Sequence, residues 1–360
     1  MMITSKNIHR QNINKTDFSK TYRNLTKSLL SLMKQENKCL DFYMDNQFIL
    51  INGDCIEVMA WLVQHNILVD HIIADIPYGT VQGLSIEGWK NKGNIPQWDK
   101  PIDVAKMIED CFYISKANAN LLLFSQEPMT RNILNQVENF QKYSLSNKMN
   151  RLKNNHHNRF SSKTTPVNIY EEILLFRKSL DETNSTFIRN YFKNILTFIG
   201  LSKRDIMNQL GQGLDHCFRF ANRTFYIPTE KNYEALIQYY HIDKMNNFIE
   251  YPKLKKIWEK ENNPIFNIPA GQNIVRNVFM HKKDLHNIHP TQKPLSLLTD
   301  LLQVFTNPGE TVLDFTCGSA STGIAAIQNG RKFIGIELSS KFYTQALEWY
   351  KQQKQQVSLF

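Results

Sequence analysis

A chain of 360 residues with 42% hydrophobic side chains is long enough for two or three units that each bury a core. Its formal charge of +10 makes polyanions, either nucleic acid or an anionic membrane face, the leading class of partner. No run approaches the roughly 20 apolar residues that span a bilayer and the Lys-, Asn- and Thr-rich start has no apolar signal core, so an intracellular, non-membrane protein is expected.

Residues 1–47 are basic and polar and read as an extension, with one short helix expected over 25–33. An alternating tract follows: a strand over 48–51, a helix over 56–63 and a fully apolar strand over 69–74. Short buried strands alternating with helices imply a parallel sheet covered on both faces. "HIIADIPYGT" then runs this strand into an acid, a proline and an aromatic ring. Either it is an ordinary strand end, or Asp75 and Tyr78 do chemistry. The glycine-bearing loop after it, closed by Trp98 and Asp99, has the length of a mobile lid. Asp103 caps a helix through about 114, "NLLLF" is a buried strand, Pro128 starts a helix to about 137, and "IYEEILLF" is a further strand.

Residues 141–168 hold Lys142, Lys148, Arg151, Lys153, Arg159 and Lys163 and no acid. The run is a solvated loop or a backbone-tracking contact for a nucleic acid strand. From about 180 to 280 the αβ rhythm fades. "LSKRDIMNQLGQGLDHCFRF" reads as helix, tight turn, helix, with Ser202 as N-cap; it is either an αα corner or a helix-turn-helix presenting His216, Arg219 and Arg223 to a groove. The last part returns to α/β: helix 294–305, strand 311–315, helix 321–329, strand 332–337 and a final helix capped by Ser339.

The cysteines, Cys39, Cys55, Cys111, Cys217 and Cys317, form no C-x-x-C pair and lie near no histidine cluster, so neither a metal site nor a disulfide framework is expected. "VLDFTCGSASTGIAAIQNGRKFIGIE" is a strand, a glycine turn, a helix and a strand, with Glu337 about 20 residues beyond the turn, where a ribose-gripping acid sits. Asp314 would repel a pyrophosphate at that turn and welcome an ammonium, which favours S-adenosylmethionine over a dinucleotide.

"INGDC" (51–55), "ADIPYG" (74–79), "HPTQKP" (289–294) and "LDFTCGSASTG" (313–323), in this order, resemble the β-group of DNA amino-methyltransferases, which methylate adenine N6 or cytosine N4. The resemblance covers roughly 48–178 and 281–360. It implies a Rossmann-like α/β methyltransferase fold, circularly permuted so that the catalytic tetrad precedes the cofactor turn, with a mainly helical target-recognition domain inserted. The implied division is an extension (1–47), a catalytic half (48–179), a target-recognition domain (180–280) and a cofactor-binding half (281–360). Asp75, Ile76, Pro77 and Tyr78 match the tetrad, with Ile76 at its first proline. Asp54, Cys55, Thr291, Lys293, Asp314, Thr316, Gly318, Ser319 and Glu337 are the implied cofactor residues, Lys293 approaching the methionine carboxylate. Ala320 stands where a glycine is usual, and Ser146-Asn147-Lys148 where Trp-Glu-Lys is often found.

The expectation is a cytoplasmic, bacterial or phage-encoded DNA adenine-N6 methyltransferase that flips its base out of the duplex and uses S-adenosylmethionine and no metal. Lys148, Arg151, Lys153, Arg159, Lys163, His216, Arg219 and Arg223 are the candidate DNA contacts. Cytosine N4, RNA, or a silent DNA-binding subunit of a methyltransferase complex are the alternatives, and a homodimer or partner subunit is allowed for.

Overall fold

Short apolar runs too rich in β-branched and large aliphatic side chains to face water on either side set up the centre of the molecule. The computed structural model describes residues 27–28, 30–78, 102–153, 168–178, 187–220, 225–262, 265–284, 288–289 and 291–357. Its strands are β1 (Asp41–Met44), β2 (Phe48–Asn52), β3 (His71–Asp75), β4 (Asn120–Ser125), β5 (Tyr143–Leu152), β6 (Tyr170–Lys178), β7 (Val278–Met280), β8 (Thr311–Asp314) and β9 (Lys332–Glu337). They make one sheet in the order β1-β2-β9-β8-β3-β4-β6-β5-β7. The middle, from β2 to β4, is parallel, while β1, β6 and β5 pair antiparallel with β2, β4 and β6.

Alternation along each strand divides the core between two faces. Ile72, Ala74, Leu121, Leu123 and Leu313 pack against the helices Cys55–Gln64, Val104–Ile114 and Met129–Phe140. Ile73, Leu122, Phe124, Val312 and Phe333 pack against Leu295–Phe305, Ser321–Gln328 and Ser340–Val357. The next described helix after β3 covers the first face, and the helix after its neighbour β8 covers the second. Leaving adjacent parallel strands toward opposite faces opens a crevice at their carboxyl ends, the usual ligand position of an open α/β sheet.

The structure departs from the sequence reading in three places. The extension does not end at residue 47: Leu30, Met33 and Cys39 are buried with Val58 and Trp61, and β1 pairs with β2. Apolar side chains in that polar stretch cover the outer part of one core. The basic run is not a loop over 143–152 but the long strand β5, because its cations meet acids on β6. The second element after Gly211 is a pair of 3-10 turns, Gln212–Leu214 and His216–Phe218, not a recognition helix. Leu214 and Cys217 are both buried at a spacing of three, the repeat that 3-10 geometry puts on one side.

The first element of that pair is as expected: Ser202 Oγ accepts from the Asp205 amide at 3.3 Å and caps helix Lys203–Leu210. With Phe187–Ile199, Glu230–Tyr240 and Tyr251–Asn262 it surrounds a separate apolar core of Ile188, Tyr191, Phe192, Tyr233 and Leu254. β7, inside the stretch read as helical, instead extends the main sheet. Among the described residues no helix is long and apolar enough to cross a membrane. The lid expected after Tyr78 lies outside the described residues.

Candidate active site

β3 ends with Asp75, whose side chain is 20% exposed at the crevice. Ile76, next to it, is buried in the core, so the residue that replaces a proline anchors the turn by packing. Tyr78 folds back: its hydroxyl donates to Asp75 Oδ1 at 2.8 Å and lies 3.3 Å from Glu171 Oε1. Thr316, in the turn after β8, donates through Oγ1 to the Asp75 carbonyl at 3.0 Å. The two strand-end turns are thereby fastened together.

Lys293 is buried, and its ammonium donates to Asp75 Oδ2 and lies 3.3 Å from Glu171 Oε1, with the Phe124 ring 4.9 Å away. It thus stands on the tetrad acid. Glu171 also meets Arg151 Nη1 at 3.0 Å and Lys153 at 3.9 Å. Burial pushes the Asp75 carboxyl above its ordinary range while Lys293 pulls against it. For Glu171 burial also pushes upward, but Lys293, Lys153 and Arg151 outweigh it and hold the carboxyl below its ordinary range. Burial lowers Lys153.

The second turn is built from β8 and β9. Asp314 is buried and accepts from Thr322 Oγ1 at 2.7 Å and the Thr316 amide at 3.2 Å. Glu337 ends β9 and accepts from the Gly318 and Ser339 amides at 2.9 and 2.8 Å. Burial pushes both acids up to about 7. Gly318 has φ +53°, a backbone that favours glycine, and a Cβ there would meet the His289 ring at 3.4 Å. Ala320 has φ +57° with a full methyl group. Ser319 Oγ is buried with no hydrogen-bond partner among the described residues.

Asn52 is the register partner of Glu337, and its amide side chain donates to the Glu337 carbonyl at 2.8 Å. This sets Asp54, two residues on, beside the same turn, where its Oδ1 accepts from the Ile56 amide at 2.9 Å and caps helix Cys55–Gln64. Burial pushes the half-buried Cys55 thiol up to about 12, so it stays protonated. Thr291 Oγ1 is 3.0 Å from His289 Nδ1, and burial followed by Lys293 lowers His289 to about 4, leaving it neutral.

The candidate DNA contacts divide. Lys148 pairs with the buried Glu172 at 2.6 Å, and Arg151 and Lys153 with Glu171, so these cations serve the β5–β6 pair. Arg219 pairs with Asp215, and His216 is exposed. Arg159, Lys163 and Arg223 lie outside the described residues. Glu171 was missed by sequence reasoning. Its signal was two adjacent acids in an otherwise apolar strand, one for each face.

A family model described as DNA methylase matches residues 69–348. DNA adenine methyltransferase YhdJ of Escherichia coli (strain K12) is 48% identical over 64 residues, 18% of this chain and 22% of that protein. Type II methyltransferase M2.DpnII of Streptococcus pneumoniae is 30% identical over 112 residues, 31% of this chain and 36% of that one. The chain thus spans from about a fifth to about a third of the curated relatives it matches. Among solved structures, M1.HpyAVI aligns with a TM-score of 0.49 at 18% identity over 84% of this chain and 97% of its own. The cytosine-N4-specific PvuII DNA methyltransferase aligns with a TM-score of 0.45 at 11% identity over 84% and 85%. The family match covers both strand-end turns and everything between them, and on that ground the chain belongs to the N6/N4 DNA methylase family.

Proposed function

We propose that the chain is a site-specific DNA adenine-N6 methyltransferase using S-adenosylmethionine. The observation that carries this reading is the 3.0 Å bond from Thr316 Oγ1 to the Asp75 carbonyl, which holds an amine-gripping acid and a cofactor turn in one crevice. The residues fit such a cofactor. Asp314 and Glu337 are buried acids bonded only to hydroxyl and amide donors among the described residues, which suits an incoming ammonium and a pair of ribose hydroxyls. The orphaned Ser319 hydroxyl suits a ligand at the same turn. Asp54 would take the adenine amino group and Thr291 the carboxylate end. When bound, the cofactor supplies a methyl group on a sulfonium.

An adenine amino group is a poor nucleophile because its lone pair is delocalised into the ring. Asp75 and the Ile76 carbonyl accept its two hydrogens and return that pair to nitrogen. Burial of the Ile76 side chain fixes the carbonyl and Pro77 stiffens the turn. Tyr78, held through its hydroxyl by Asp75 and Glu171, presents its ring for stacking on an extruded base. Placement supplies most of the rate. Asp rather than Ser at position 75 favours adenine within the family pattern, and the YhdJ relative, a DNA adenine methyltransferase, points the same way. Residues 180–280 choose the site; Lys253, Lys255 and Lys256 are exposed cations on their last described helix.

Incubation with methyl-labelled cofactor and unmethylated DNA, followed by digestion to nucleosides, tests this. Labelled N6-methyladenine is expected, and absent from Asp75→Ala. Label in methylcytosine overturns the choice of base; no label in any nucleoside overturns the activity.

A further inference from the structure

Two carboxylates, Asp75 at the crevice and the buried Glu171, share one ammonium. Lys293 donates to Asp75 Oδ2 and lies 3.3 Å from Glu171 Oε1. Its side chain is 6% exposed, so an ammonium that leaves Asp75 has no water to move into and needs another anion. Glu171 is within reach, and Arg151 and Lys153 keep it charged. Asp75 has no second cation among the described ion pairs. The Tyr78 hydroxyl bridges the two acids and ties their positions to the tetrad.

The arrangement conflicts with turnover as it stands. Asp75 Oδ2 is taken by an ammonium, and Oδ1 by Tyr78, where a target amine must donate. A cationic cofactor beside this pair also repels Lys293. We propose that Glu171 is the second seat of Lys293: with a sulfonium cofactor bound, Lys293 moves from Asp75 onto Glu171 and frees the tetrad carboxylate. Glu171 is then a positioning residue that acts through Lys293. This rests on the cofactor reading given above.

The test compares binding of S-adenosylmethionine with that of S-adenosylhomocysteine, which lacks the sulfonium charge, by calorimetry on the full chain without DNA. Glu171→Gln should weaken the sulfonium ligand about tenfold and the neutral one less than about threefold. The double variant Glu171→Gln/Lys293→Met should recover to within about threefold of wild type, since no ammonium is left to displace. Lys293→Met alone should shift preference the other way, toward the sulfonium ligand, and carries the test if Glu171→Gln does not fold. Equal weakening of both ligands, unchanged affinities, or a double variant no better than the single overturns the proposal. Wild-type protein that binds neither ligand overturns the cofactor reading itself. Wild-type protein that binds both, beside an indifferent Glu171→Gln, overturns the second seat alone.

Discussion

Asp75 and Asp314 end neighbouring parallel strands, yet the protein treats them in opposite ways. His71 and Ile72 of β3 pair with Val312 and Leu313 of β8, so both acids lie at the carboxyl ends of two adjacent central strands, Asp75 two residues further along than Asp314. Asp75 meets a cation supplied by the chain itself, Lys293. Asp314 meets a threonine hydroxyl and an amide, with no cation among the described ion pairs, and burial pushes it up to about 7. One carboxylate is neutralised in advance; the other is left for a charge that comes with a ligand. Desolvating an acid without a counter-charge costs free energy in the empty protein, which fits the proposed roles of Asp314 in binding and Asp75 in catalysis.

The most direct way to break this contrast is to neutralise each acid in turn. Asp75→Asn should lower methyl transfer by about 10²–10³-fold or more, because the hydrogen-accepting charge is gone, while cofactor affinity stays within about threefold. Asp314→Asn should do the reverse in kind: cofactor affinity falls about tenfold or more, and the empty protein becomes more heat-stable at about pH 8, having lost a buried, uncompensated charge. Calorimetric titration and a melting curve for each variant read both quantities. If Asp314→Asn destabilises the empty protein and leaves cofactor affinity unchanged, the distinction between the two aspartates fails.

Both turns were legible because each closes a run of buried apolar residues with an acid, a pattern local enough to see in sequence. What makes Asp75 differ from Asp314 was not. Lys293 lies 218 residues from Asp75, and in sequence the resemblance made it a cofactor contact. Glu171 sat beside Glu172 in a strand whose apolar residues argued for burial. The cations of β5 read as free because their partners, Glu171 and Glu172, lie on the next strand, beyond a long intervening stretch. Pairing across a hairpin, not composition, decides whether such a lysine meets a phosphate or a carboxylate. The 3-10 turns after Gly211 were hidden for a related reason: a spacing of three between buried residues fits one turn of either helix type until packing selects between them.

The pH dependence sharpens the same contrast with a smaller effect. Free Asp and Glu side chains titrate near ~3.9 and ~4.3. In the folded chain Asp314 and Glu337 lie at about 7, so the native state holds protons that the unfolded chain has lost. The contribution of these two acids to the stability of the empty protein is therefore full on the acid side of this window and is lost as pH rises through about 7. A ligand that needs both acids ionised behaves oppositely. The rise in melting temperature produced by S-adenosylmethionine should grow from about pH 5.5 to about pH 7.5, with affinity improving about tenfold or more over the interval. A flat profile would mean that neither acid takes a charged or hydrogen-donating group from the ligand.

The smallest effect concerns the backbone of the second turn. Where the first turn is stiffened by Pro77, the second bends at Ala320 with φ +57° and ψ 30°, a conformation that costs a residue bearing a Cβ roughly 1–2 kcal/mol. Ala320→Gly relieves that cost. It also removes a methyl group that is fully buried in the core shared with Phe48 and Phe333, worth about 0.8 kcal/mol. The added glycine loosens the unfolded chain as well, which takes back a further part of the gain. The three contributions nearly cancel, so the melting temperature should move by less than about 1 °C for a chain of this size. Loss of more than about 1 kcal/mol would show that the packing of one methyl group outweighs the strain at the turn, and that alanine at this position stabilises the turn after β8 instead of weakening it.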